Sequence, residues 1–180
     1  MILKKKQRLL VLLGLLYTFS ISSAVLARQP EVESLHPDWV AVNAEQKDIT
    51  AKIRQFLEQS GYNYTKVSDT VWSIPYQGKS LANFEVNIIT IPDSDLFLIV
   101  ALVAQKQNLK VSQDLFYKLL KFNHSVDWVK VAITDDGDLI VRIDIDGRTM
   151  DLKAFKDAIA QLAAATDELH GQIKASLIPE

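Results

Sequence analysis

The 180-residue chain contains no cysteine. That absence excludes a disulfide framework, a thiol nucleophile, a thiol redox motif and a lipoprotein anchor. Glycine occurs only six times, so few places exist for a phosphate-cradling glycine loop. No G-x-S-x-G, no H-E-x-x-H and no G-x-x-x-x-G-K-[ST] stands anywhere in the chain. The three histidines, His36, His124 and His170, share no metal-ligand spacing, and no nucleophile motif surrounds any of them. We therefore expect surface or helix-end histidines, no catalytic residue, no cofactor and no metal. An enzyme or small-ligand sensor would need a pocket that the sequence does not display.

What the chain does have begins at its N-terminus. Lys4, Lys5, Lys6 and Arg8 precede "LLVLLGLLYTFSI", Leu9 to Ile21, an uncharged run of 13 residues. "SSAVLA" follows, with small residues at Val25 and Ala27. A basic start, a short apolar run and a V-x-A site read as a secretory signal peptide over residues 1–27. The run is shorter than the ~20 residues of a membrane-spanning helix. Cleavage after Ala27 is therefore expected to leave an exported chain with no stable membrane anchor, in the periplasm, with an uncleaved anchor as the alternative. Cleavage leaves 16 basic against 22 acidic residues, so the net charge moves from −2 to −6. A mildly acidic exported domain is a poor partner for nucleic acid or anionic lipid.

Residues 28–42, with Pro30 and Pro37 and no periodicity, read as an extended arm that carries Trp39. A folded domain is expected over 43–175, with a short tail at 176–180. Asn43 and Gln46 have the spacing of a capping box. Ile49, Ile53, Phe56 and Leu57 follow at helical spacing, and Gly61 ends that helix. "YNYTKVS", "TVWSIPY" and "ANFEVNIITI" read as strands. "LFLIVALVA", Leu96 to Ala104, is apolar throughout, which predicts a central strand buried on both faces. Ser112 caps a second helix. "VKVAITDDGDLIVRIDIDG" then gives two alternating strands around an Asp-Gly turn. Leu152, Phe155, Ile159, Leu162, Thr166, Leu169 and Ile173 mark the last helix. The expected fold is α+β, a single antiparallel sheet flanked by three helices, in the order α-β-β-β(-β)-α-β-β-α.

The same stretch holds five aspartates. Asp135, Asp136 and Asp138 lack the D-x-[DN]-x-[DN]-G spacing of a calcium loop, and no glutamate follows "DIDG". A hairpin is the expected reading, with Arg142 and Asp144 as a surface pair. Trp72 and Trp128 lie in or beside strands and are expected in the core.

One element exceeds what its fold needs. In the second helix Leu115, Leu119 and Phe122 supply a core stripe. Phe116, Tyr117 and Leu120 widen the apolar arc beyond what one sheet can cover. Those three residues are expected to face a protein or peptide partner, most simply a second copy in a homodimer; the alternative is cover by another part of the same chain.

The second half of the chain resembles the YbjN-like group, whose fold looks like that of the type III secretion chaperones. The resemblance rests on Asn123 after the second helix, the hairpin "VKVAITDDGDLIVRIDI" and the last helix with "ATDEL". The family layout, α-β-β-β-α-β-β-α, covers roughly residues 44–175, with one more short strand in the first half of this chain. The resemblance implies a non-enzymatic module, often dimeric, that binds polypeptides or acts in regulation. This chain departs from that pattern in its export signal.

Overall fold

The computed structural model describes residues 49–178. The expected signal peptide, arm and capping pair Asn43–Gln46, with His36 and Trp39, lie outside the described residues.

The first helix, α1 (Ile49–Ser60), buries Ile49, Ile53, Phe56 and Leu57, the stripe its spacing predicts. It stops where Gly61 takes φ 78°, a left-handed conformation that costs glycine nothing. Four strands follow: β1 (Thr65–Lys66), β2 (Val71–Tyr76), β3 (Phe84–Thr90) and β4 (Leu96–Ala104). Helix α2 (Gln113–Ser125) comes next, then β5 (Lys130–Ile133), β6 (Leu139–Asp146) and α3 (Leu152–Gln172). The six strands form one antiparallel sheet in the order β1-β2-β3-β4-β6-β5. This is the α+β arrangement that the periodicities predict, including the extra short strand.

The core lies between the sheet and α3. Trp72, Ile88, Phe97, Ile99, Val141 and Ile143 come from the strands; Phe155, Ile159, Leu162 and Leu169 come from α3. Phe155 joins the layers, with its ring 5.5 Å from that of Phe56 and 6.2 Å from that of Phe97. Full burial of side chains this size stabilises by roughly 1.5–3 kcal/mol each. A domain without a disulfide depends on these contacts.

Three expectations need correction. Strand β4 is central, but it is not buried on both faces. Phe97, Ile99, Ala101 and Val103 face the core, whereas Leu96 and Leu102 are 45% and 40% exposed on the opposite side. An unbroken apolar run does not reveal how many faces are covered. Trp128 is not in the core: it has φ 64° and points outward, because the backbone reverses there before β5 begins. Finally, the segment expected as a tail belongs to the domain through Ile178. A 3-10 turn at Lys174–Ser176 leads to Leu177, which bridges Leu109; Lys110 N–H donates to Ser176 C=O, and Ile178 N–H to Asn108 C=O.

The Asp-Gly stretch forms the predicted hairpin. Ile133 pairs with Leu139, and the loop between them closes through Thr134 N–H to Asp138 C=O (3.0 Å) and Gly137 N–H to Thr134 C=O (2.8 Å). Gly137 takes φ 89°.

Candidate functional site

Helix α2 starts because the Ser112 Oγ accepts a hydrogen bond from Leu115 N–H at 3.1 Å, satisfying one of the donors that a helix start leaves open. Asp114 and Lys118 add an ion pair one turn apart (2.8 Å). Leu115, Leu119 and Phe122 are buried. The opposite face holds Phe116, Tyr117 and Leu120, exposed by 47%, 64% and 68%. The three residues singled out in the sequence thus form one solvent-facing apolar surface, and no other described segment buries them. Lys121 sits over the Tyr117 ring, 5.7 Å from its centroid, and leaves its neighbours open. Asn123, at the end of the same helix, holds the outer edge of β5 through Val131.

Three of the five aspartates, Asp138, Asp144 and Asp146, have structural partners. Asp135 and Asp136 are exposed at the hairpin tip. Asp138 accepts from Lys106 N–H at 2.8 Å. Asp144 accepts from Arg142 on one oxygen and Lys130 on the other. Partial burial works to raise its carboxyl, but the hydrogen bonds from Lys130 and Arg142 hold it below the ordinary carboxylate value. The Arg148 side chain and backbone N–H bring the Asp146 carboxyl down to about 2. Among the described residues, no group of three or more histidine and carboxylate side chains is placed to hold a metal ion.

Two features were not legible beforehand. Asp167 on α3 clamps the loop before β3: its carboxylate accepts from Lys79 N–H (3.0 Å), Ser80 N–H (2.7 Å) and Leu81 N–H (2.8 Å). These bonds, led by that of Leu81, hold the Asp167 carboxyl below its usual value. The clamped loop borders a cavity of about 570 Å³, lined among others by Phe84, Glu85, Asn87, Leu102 and His170. The cavity opens where β3 and β4 part: their pairing ends at Val86 and Ala101, and an irregularity between Leu102 and Ala104 bends β4. The His170 Nδ1 is buried with no hydrogen-bond partner among the described residues. His124 is exposed at the end of α2, as expected.

A three-helix, six-strand domain of this order has the fold of YbjN. Residues 50–174 match the family model of YbjN, described as "Putative bacterial sensory transduction regulator". The chain belongs to the YbjN family. The crystal structure of YbjN from E. coli is similar with a TM-score of 0.53 and 18% identity, covering 72% of this chain and 95% of that one. The ExsC–ExsE complex is similar with a TM-score of 0.51 and 15% identity, over 69% and 95% of the two chains. The HopA1–SchA chaperone–effector complex gives 0.51 and 11%, over 68% and 94%. At these identities the likeness is one of fold. No curated protein matches the sequence.

Proposed function

We propose that this protein is an exported, non-enzymatic binding module that engages a polypeptide through the outer face of α2, in the first instance a second copy of itself. The observation that carries this reading is the division of α2 into two apolar faces. Leu115, Leu119 and Phe122 complete the core, and Phe116, Tyr117 and Leu120 remain outside it. Exposing three large side chains forgoes burial worth roughly 1.5–3 kcal/mol each, a cost that an interface removes. Membership of the YbjN family supports a regulatory or chaperone-like role, and two proteins of similar fold were solved in complexes, one described as chaperone with effector. The test is the molar mass of the processed protein across a concentration series, which should approach that of a dimer.

Export rests on residues 1–27. N-terminal sequencing of material from the periplasm should begin at Arg28; an intact Met1 would contradict cleavage.

A second reading, a small-ligand sensor, is favoured by the cavity beside His170. Its volume is within the range of small-molecule sites, and it combines apolar walls with amide and carboxylate groups. Ligand-induced stabilisation that is lost in Leu102→Arg would support that reading over the first.

A further inference from the structure

Strand β6 is covered along only half of its outer edge. Strand β5 pairs Lys130 with Arg142, Val131 with Val141, Ala132 with Ile140 and Ile133 with Leu139, and there it ends. On that side no described strand pairs with Ile143, Asp144, Ile145 or Asp146. A strand edge left open presents main-chain donors and acceptors that can pair with another chain.

The chain leaves this edge at Trp128. Val129 N–H donates to Asp127 C=O at 2.7 Å, closing a three-residue turn around Trp128 at φ 64°. Turns of this hand are rare and strained, and a bulky residue is an unfavourable occupant of positive φ. The strain is held by a brace from α3: Gln161 Nε2 donates to the same Asp127 carbonyl at 2.6 Å. The result is a tryptophan 60% exposed. Backbone strain that the surroundings maintain is a pointer to function.

Trp128 and the open edge border one cavity of about 340 Å³, lined also by Met150, Thr149 and Ala154. Ile143 and Ile145 offer apolar side chains on the core side, and Asp144 and Asp146 lie on the other face, already paired with Arg142, Lys130 and Arg148. The Asp146 carbonyl already accepts from Thr149 Oγ1 at 3.3 Å, so a ligand of this edge must meet its remaining main-chain groups with regularly spaced N–H and C=O groups of its own. One face of it must be apolar to meet Trp128 and Met150. We infer that this slot receives an extended, alternately apolar segment of another polypeptide, which pairs with Ile143–Asp146 end to end with β5 and packs against Trp128. This deepens the polypeptide-binding reading, but on residues separate from the α2 face.

The experiment uses two probes, acetyl-Thr-Val-Thr-Val-Thr-amide and the same peptide N-methylated at all five residues, titrated into isotope-labelled processed protein. The unmethylated peptide should shift the Trp128 indole N–H and the amides of residues 143–146 saturably. The methylated peptide, with equal side chains but without those main-chain donors, should bind at least tenfold more weakly. Trp128→Gly should lose binding by tenfold or more while its melting temperature stays the same or rises, because glycine relieves the positive φ. A residue that is merely structural would instead lower the melting temperature. Three results would overturn the inference: no saturable shift, equal binding of both peptides, or shifts confined to Phe116–Leu120. Shifts at 143–146 that grow with protein concentration without any peptide would also overturn it, by giving the edge to a second copy. Phe116→Ser/Leu120→Ser should still bind the probe, so failure of the α2 reading and failure of this one are distinguishable.

Discussion

The side-chain amide of Asn123 reaches both main-chain groups of Val131. Val131 N–H donates to Asn123 Oδ1 at 2.7 Å, and Asn123 Nδ2 lies 3.5 Å from the Val131 carbonyl. Helix α2 thereby occupies the middle of the β5 edge, which would otherwise be free to pair with another chain. The short contact dominates; the longer one is at the limit of a hydrogen bond. Asn123→Ala should destabilise the domain by about 1 kcal/mol, read as a lower urea midpoint. It should also promote edge-to-edge association, seen as a rise in mass at high concentration. An unchanged midpoint would show that the amide does not hold the strand.

The Asp167 clamp should depend on pH in a fixed direction. Its carboxyl is held below the unfolded value of about 4. The clamp therefore contributes fully at and above that pH and fades as pH falls through the lower folded value. The amide resonances of Lys79, Ser80 and Leu81 should move together in that acid range. Asp167→Ala should remove the titration and leave the loop exchanging quickly at neutral pH. Persistence of the same titration in the variant would assign it elsewhere.

Gly137→Val should destabilise by about 1 kcal/mol or more. Its φ is 89°, and an added Cβ would come within 2.6 Å of Lys106 Cδ. Thermal or urea unfolding would check this, and a neutral result would contradict the hairpin geometry.

Treatment with a chelator should leave the melting temperature unchanged. The aspartates of the hairpin and β6 are engaged by Lys106 N–H, Lys130, Arg142 and Arg148, or stand apart at the tip. A drop of several degrees would mean that they hold a cation.

How far the sequence could be read follows from the range of each interaction. Local periodicity suffices for the α1 stripe, for the alternation of Leu139, Val141, Ile143 and Ile145, and for the two faces of α2, because each depends on neighbours within one element. The turn at Gly137 is equally local. The orientation of Trp128 is different: it depends on a brace from Gln161, on another element. Asp167 likewise finds its partners in a loop far away in the chain, and no spacing rule links them. The cavity beside His170 exists only because β4 departs from β3, which an apolar run such as Leu96–Ala104 cannot announce.

The central claim is that the outer face of α2 is an interface. It is tested most directly by the molar mass of Phe116→Ser/Leu120→Ser, measured beside the unaltered protein by light scattering, with circular dichroism on the same samples. The unaltered protein should be a dimer and the variant a folded monomer. A protein that is monomeric from the start, and that unfolds when these two residues are replaced, would contradict it.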